Sequence, residues 1–245
     1  MQKLKYIFPL ALIALPLAFF LRQVSFVKEI DISLAYFFND LIRNHHFLQN
    51  PCAFLNAKIG NWLYDLVIVL FTIPYILRGE KGKLTERFIN TILIVLLCVS
   101  CYFFFNRYLI MKLNYTAYSP SGVLPDLFKL SSVIPWTKVK EFSANSYPSD
   151  HGSTIFMFVF STFILMGRKK GILALIFSIP FALPRLLVGA HWTSDLLLGS
   201  LPLAAFNIAW FFYTPIYKTL LQTIVRSLDG LNNFRKKLQK ALQSS

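Results

Sequence analysis

The sequence predicts an all-α, polytopic membrane protein, from its composition, its charge-free stretches and the placement of its charges. Of the 245 residues, 56% are hydrophobic, 16% are aromatic and only 15% are charged. Soluble domains average about 45–50% apolar and about 25% charged residues. The composition therefore disfavours a soluble domain, and it excludes a disordered chain.

Six stretches that are free or nearly free of charge predict six transmembrane helices, because a span needs about 20 mostly apolar residues. The first is interpreted as an uncleaved anchor, since no small-x-small cleavage site follows it and five further spans do. The six stretches are Tyr6–Leu21, Ile59–Leu77, Phe88–Asn106, His151–Gly167, Gly171–Ala190 and Leu196–Tyr217.

The net charge of +14 would suggest a nucleic-acid partner in a soluble protein. In an apolar chain it is typical of basic cytoplasmic segments facing anionic membrane lipids, so we expect no nucleic acid. With both termini in the cytoplasm, 15 of the 25 Lys and Arg residues fall in short cytoplasmic segments. These segments are Met1–Lys5, Arg78–Arg87, Arg168–Gly171 and Lys218–Ser245.

Residues 1–245 are interpreted as one membrane-embedded domain whose last part, from about 218 to 245, is a cytoplasmic amphipathic tail helix. Leu and other apolar residues recur there at helical spacing between Leu220 and Leu242, and basic residues fill the other face. Several polar residues are expected to be structural, and the Cys-x-x-Cys is expected to pack rather than act in redox chemistry. They are His45, His46, Asp65, Cys98 and Cys101.

Three polar clusters lie at span ends, where polar groups are costly and therefore functional candidates. The topology places all three outside. The first is Lys112 followed by Ser119-Pro120, and the second runs from Tyr147 to Gly152. The third is Pro184-Arg185, five residues, His191, three residues and Asp195.

The third cluster places His191 and Asp195 at helical spacing, so a carboxylate can fix the tautomer of a nucleophilic imidazole. The second opens a helix at His151, whose free amides suit a phosphate, while Lys112 and Arg185 can clamp phosphoryl oxygens. The alternatives for these residues are that the arginine snorkels to the interface, that the aspartate caps a helix, or that the His and Asp residues form a zinc site with few ligands.

The clusters resemble the three-part signature of the type-2 phosphatidic acid phosphatase family, Lys-x6-Arg-Pro, Pro-Ser-Gly-His and Ser-Arg-x5-His-x3-Asp. The resemblance implies a six-span helical fold and metal-independent phosphoryl transfer without a cofactor. It implies that His191 is the nucleophile, Asp195 orients it, and His151 protonates the leaving oxygen. It further implies that the phosphoryl group is held by Lys112, Ser149, the amide of Gly152 and Arg185.

Three positions depart from the signature: Ser119, Asp150 and Pro184. The stretches Ser146–Ser153 and Ala182–Ser200 are more similar to a bacterial branch of the family. That branch transfers phosphate from undecaprenyl pyrophosphate to lipid A. The resemblance thus implies these two partners and a site at the periplasmic face of the inner membrane. Lys129, Lys138 and Lys140 are candidates to attract the anionic acceptor, with a solvated loop surface as the alternative.

Two other functions stay open on the sequence. One is a phosphatase of undecaprenyl pyrophosphate, phosphatidylglycerol phosphate or lipid A, with water as acceptor. The other is an inactive lipid-binding or transport protein. The presence of His151, Arg185, His191 and Asp195 argues against the latter, because an inactive site has no reason to keep four costly polar groups.

Overall fold

The computed structural model describes residues 6–78, 83–109, 112 and 116–243, and all its regular elements are helices. Two of the helical segments are π-helical: Tyr102–Leu109, which follows the α-helix ending at Cys101, and Asp195–Ser200, which precedes the α-helix beginning at Leu201. The all-α prediction is confirmed for these residues. The longer helices, numbered in chain order, are α1 Ile7–Gln23, α2 Ser25–Asn44, α3 His46–Asn56, α4 Lys58–Leu77, α5 Leu84–Cys101, α6 Asp150–Met166, α7 Arg168–Leu187, α8 Leu201–Tyr213 and α9 Pro215–Gln243.

Four helical stretches are long and apolar enough to cross a membrane, and they coincide with four of the predicted spans. They are Lys58–Leu77, Leu84–Leu109, Arg168–Leu187 and Asp195–Tyr213. The other two predicted spans form α1 and α6, which have 17 residues each. The pair α1 and α2, bent by 75°, can count as a fifth span. The chain is thus a multi-pass helical protein, while six spans and cytoplasmic termini remain predictions; Met1–Lys5 lies outside the described residues.

The C-terminal half supplies the packed centre of the bundle. In the most apolar part of Asp195–Tyr213, 56% of the residues are buried, against 11% in Lys58–Leu77. The main apolar cluster joins α5, α6 and α8, with Leu97, Met157 and Leu203 among its members. α4 therefore presents most of its apolar surface outward, as expected of a helix in contact with lipid.

The segment 116–149 covers one end of the bundle and is held there by α2. Asn39 of α2 donates to the carbonyl of Phe128 (3.0 Å) and accepts from its amide (2.6 Å). Leu130 is fully buried in an apolar cluster that also contains Ile42 and Val188. The ends of α1 and α7 and the starts of α4 and α6 lie at this same end of the bundle.

The predicted tail helix is present as α9. Its first turns are not simply exposed, because Tyr217, Leu221 and Ile224 pack against the α5–α6–α8 cluster. The apolar side chains of the stripe from Leu231 onward lie outside the described residues. The tail therefore begins as a packed continuation of the bundle.

Candidate active site

The third motif owes its five-residue spacing to a tight reversal of the chain after α7. Gly189 has a φ of +71°, a left-handed conformation that glycine adopts without a steric penalty. The amides of Ala190 and His191 then both donate to the carbonyl of Arg185, at 2.9 and 3.2 Å. This turn brings the backbone of the histidine beside that of the arginine.

The ring of His191 is held in one orientation by two acceptors. Its Nδ1 lies 3.0 Å from the carbonyl oxygen of Ser146 and 3.5 Å from Oδ2 of Asp195. Neither acceptor carries a donor hydrogen there, so Nδ1 carries the proton and Nε2 keeps a free electron pair. The predicted i, i+4 pair is therefore in place, with side chains 6% and 0% exposed.

The two carboxylate oxygens of Asp195 have separate partners. Oδ2 accepts from the backbone amide of Trp192 at 2.9 Å and faces His191. Oδ1 accepts from Nη2 of Arg22 at 2.8 Å. Arg22 lies in the last turn of α1 and belongs to none of the three motifs.

The second motif begins α6 with a side-chain cap. Ser149 Oγ accepts from the amide of Gly152 at 3.2 Å, so these two predicted phosphate ligands bind each other here. Ser200 Oγ donates to the carbonyl of Ser149 at 2.8 Å and lies 3.1 Å from the carbonyl of Asp195. A Cβ on Gly152 would lie 2.7 Å from Ser200 Oγ, so glycine permits the second and third motifs to approach.

His151 and Arg185 contact each other, and both are held by asparagines of the N-terminal helices, Asn56 of α3 and Asn61 of α4. Arg185 Nη2 lies 3.1 Å from Nε2 of His151 and donates to Oδ1 of Asn61 at 3.0 Å. Asn61 Oδ1 also lies 3.0 Å from His151 Nε2. Arg185 Nη1 donates to Asn56 Oδ1 at 3.1 Å. Nε of Arg185 is buried and makes no hydrogen bond within the described residues, which leaves it a donor for an anion.

The first motif lies apart from this cluster. Lys112 is exposed, with its ammonium 5.9 Å from the ring centroid of Tyr108, and within the described ranges no hydrogen bond joins it to the cluster. Ser119, which stands where the family has arginine, is fully buried and accepts from the amide of Ser143 at 2.9 Å. It therefore stabilises the covering segment.

The backbone of Lys140 adjoins the cluster, because its amide donates at 3.0 Å to the same Asn56 oxygen that Arg185 contacts. The pKa of the Lys140 ammonium is lowered, first because the protein removes part of its hydration and second because Arg185 repels it. Asp150 partly offsets this. Positive charge thus gathers on this side of His151.

A cavity of about 320 Å³ opens beside His151 and is lined by Asn61, Asp65 and Tyr102. Asp65, expected to be structural, therefore lines this cavity. Three other residues expected to be structural match that expectation. The ring of His45 bonds the carbonyl of Leu41 (2.9 Å), and Cys98 and Cys101 are free thiols packed in or against the main apolar cluster. In the part of the chain that the structure describes, no group of three or more His, Cys, Asp or Glu side chains is placed to hold a metal ion.

Four residues that contact the predicted site residues belong to none of the three motifs. Arg22, Asn56 and Asn61 lie more than a hundred residues from their partners in the chain. Ser146 contributes only its backbone carbonyl. A charged residue at the end of the first apolar stretch was the one available hint, and for Arg22 it equally suggests snorkelling.

Comparisons with known sequences support the resemblance. The PAP2 superfamily model matches residues 113–220. Lipid A 1-diphosphate synthase of Escherichia coli (strain K12) is 28% identical over 213 residues, which cover 85% of this chain and 86% of that protein. A PAP2-type phosphatidylglycerolphosphate phosphatase from Bacillus subtilis superposes with a TM-score of 0.49 at 17% identity, covering 86% of this chain and 96% of that one.

The superfamily match contains the whole second and third motifs, including His151, Arg185, His191 and Asp195, and begins one residue after Lys112. Residues 113–220 are therefore similar to the PAP2 superfamily, which confirms the family resemblance of the sequence.

Proposed function

We propose that the protein is a membrane phosphotransferase that moves the terminal phosphate of undecaprenyl pyrophosphate to the 1-phosphate of lipid A through a phosphohistidine. One observation carries the proposal. His191 has its Nδ1 committed to Ser146 and Asp195, so that Nε2 is the nucleophilic nitrogen. The acceptor is inferred from the name of the Escherichia coli relative, lipid A 1-diphosphate synthase.

In the first step, Nε2 of His191 attacks the terminal phosphorus. A nitrogen–phosphorus bond forms, the phosphorus–oxygen bond to undecaprenyl phosphate breaks, and His151 gives its proton to the leaving oxygen. The imidazolium that forms keeps its Nδ1 proton and is stabilised by Asp195.

In the second step, a protonated oxygen of the lipid A 1-phosphate attacks the phosphohistidine and gives its proton to His151, which restores the acid used in the first step. The new phosphorus–oxygen bond forms as the nitrogen–phosphorus bond breaks, which restores neutral His191. Arg185 is suited to the charge on the transferred group, because it is 3% exposed and its Nε is an uncommitted donor. Lys112 is proposed to assist, and Lys140 to attract the anionic acceptor.

The alternative is hydrolysis, in which water takes the place of lipid A in the second step. The superfamily match is compatible with both reactions. A transferase must position its acceptor and exclude water, and favouring a bound phosphate about tenfold over water takes only ~1.4 kcal/mol of barrier difference. An assay with and without lipid A therefore distinguishes the transferase from the phosphatase.

The test uses purified full-length protein in detergent and undecaprenyl pyrophosphate labelled with ³²P on its terminal phosphate. Alone, this donor should release little inorganic phosphate. With lipid A present, label should appear in a lipid that is heavier by one phosphate, together with undecaprenyl phosphate. Inorganic phosphate released at the same rate with and without lipid A would show a phosphatase. No turnover in either case would favour the lipid-binding alternative.

A further inference from the structure

We propose that Arg22 is a positioning residue for the nucleophile, acting on His191 through Asp195. The inference rests on the proposed phosphoryl transfer by His191 and extends the machinery to α1, outside the residues that the superfamily model matches. It assigns a role in the site to a helix that none of the three motifs includes.

The two carboxylate oxygens of Asp195 have different partners, and this supports the proposal. Arg22 binds Oδ1 at 2.8 Å, while Oδ2 faces Nδ1 of His191 at 3.5 Å. A carboxylate rotates about one bond, so fixing Oδ1 also fixes the direction of Oδ2. The guanidinium thereby directs the second oxygen at the imidazole.

Burial makes the counter-charge necessary. The side chain of Asp195 is fully buried and that of Arg22 is 13% exposed. A second carboxylate, Asp31 of α2, lies close by, because it accepts from the amide of the adjacent Ser194 at 2.9 Å and also binds its hydroxyl. Removing one partner of a buried ion pair leaves an uncompensated charge, which is strongly unfavourable.

Arg22 is itself held in place. Its guanidinium carbon lies 4.4 Å from the ring centroid of Tyr147, the residue that precedes the Pro-Ser of the second motif. The hydroxyl of Tyr147 donates to the carbonyl of Leu198 at 3.1 Å, and its ring lies 6.1 Å from that of Phe19 in α1. Such stacking restricts the side chain, so Arg22 is a rigid support for the carboxylate.

The experiment measures the single-turnover transfer of ³²P from labelled undecaprenyl pyrophosphate to His191 in the purified full chain. Arg22→Gln should lower this rate by about 10–100-fold, by analogy with the residues that orient metal-ligating histidines. Arg22→Lys should restore part of the rate. The matched control is Arg43→Gln, since Arg43 pairs with Asp40 at 3.4 Å on an exposed surface.

A double-mutant comparison distinguishes this positioning role from a purely structural one. Adding Arg22→Gln to Asp195→Asn should cost less than about twofold, because the carboxylate through which Arg22 acts is gone. Equal losses in both backgrounds, or no rescue by lysine, would overturn the inference. If Arg22→Gln does not fold, as judged by thermal melting, Arg22→Lys is compared in both backgrounds with the same criterion. Full activity of His191→Ala would instead refute the proposed function itself.

Discussion

The reactivity of His191 depends on which of its two ring nitrogens faces an acceptor. Because Ser146 and Asp195 both face Nδ1, the nitrogen available to phosphorus is Nε2. His191→Ala should abolish turnover, since no phosphoenzyme can form. Asp195→Asn should leave a residual activity lowered by about 10²–10⁴-fold, as at other oriented-histidine sites.

The measurement is transfer of ³²P in purified protein, with trapping of the acid-labile phosphoenzyme. His45→Ala is the control, because the ring of that exposed histidine bonds the carbonyl of Leu41 in the helix that ends just before it. A fully active His191→Ala protein would exclude this mechanism.

Part of the site follows from the sequence because its contacts are local. His191 and Asp195 are one helical turn apart, and Ser149 caps the helix that His151 begins. Arg22 and Asn61 could not be predicted in this way. Each contacts a partner more than 120 residues away in the chain, and such contacts produce no periodic pattern in the sequence. The departure at Ser119 likewise gains its meaning only from the fold, which buries it in the covering segment.

At the scale of helices, α6 and the π-helical segment before α8 approach each other unusually closely. A Cβ on Gly152 would lie 2.7 Å from Oγ and 2.9 Å from Cβ of Ser200. Gly152→Ala should therefore destabilise the protein by about 1–3 kcal/mol, as for other overpacked positions, and lower its melting temperature in detergent. The activity should fall with it, because Ser200 joins the second motif to Asp195.

Gly230→Ala is the matched control for this substitution. Among the described side chains, a Cβ on Gly230 would meet no atom within 4 Å, and alanine favours a helix over glycine by about 0.5–1 kcal/mol. Its melting temperature should stay the same or rise. A Gly152→Ala protein that melts like the unsubstituted chain would show that the two segments separate at no cost.

The six predicted spans coincide with helices, because a long apolar stretch is enough to identify a helix of this kind. Residues 25–56 did not stand out, although they form α2 and α3. Their polar groups interrupt the apolar pattern, and Asn39 and Asn56 are buried for bonds to the covering segment and to α7. Such helices depend on tertiary contacts, which local patterns do not encode.

For the whole molecule, the charged side chains of Arg22, Arg185 and Asp195 come from the ends of three helical segments that meet at one end of the bundle. Arg185, Lys112 and the amides at the start of α6 are expected to neutralise the transferred phosphoryl group without a bridging metal. Activity in detergent should survive EDTA, and vanadate should inhibit by forming a trigonal-bipyramidal adduct on His191. Activity that is lost in EDTA and returns with Mg²⁺ or Zn²⁺ would contradict this.

The orientation of the bundle decides which face of the membrane supplies the substrates. The basic turn between α6 and α7 is expected in the cytoplasm and the segment 116–149 in the periplasm. Ser132 and Lys169 are exposed, one in each region, so a cysteine at either position is accessible from its own side. The unsubstituted chain provides a low background, because Cys52 is buried and burial raises the pKa of its thiol to about 12.

An impermeant maleimide should therefore label Ser132→Cys on intact spheroplasts and label Lys169→Cys only after lysis. The two positions are separated by α6 alone, whose 17 residues span about 26 Å at a rise of ~1.5 Å per residue. The assay thus also tests whether this short helix crosses the membrane. The reverse pattern would place His191 at the cytoplasmic face, and labelling of both cysteines before lysis would show that α6 does not span.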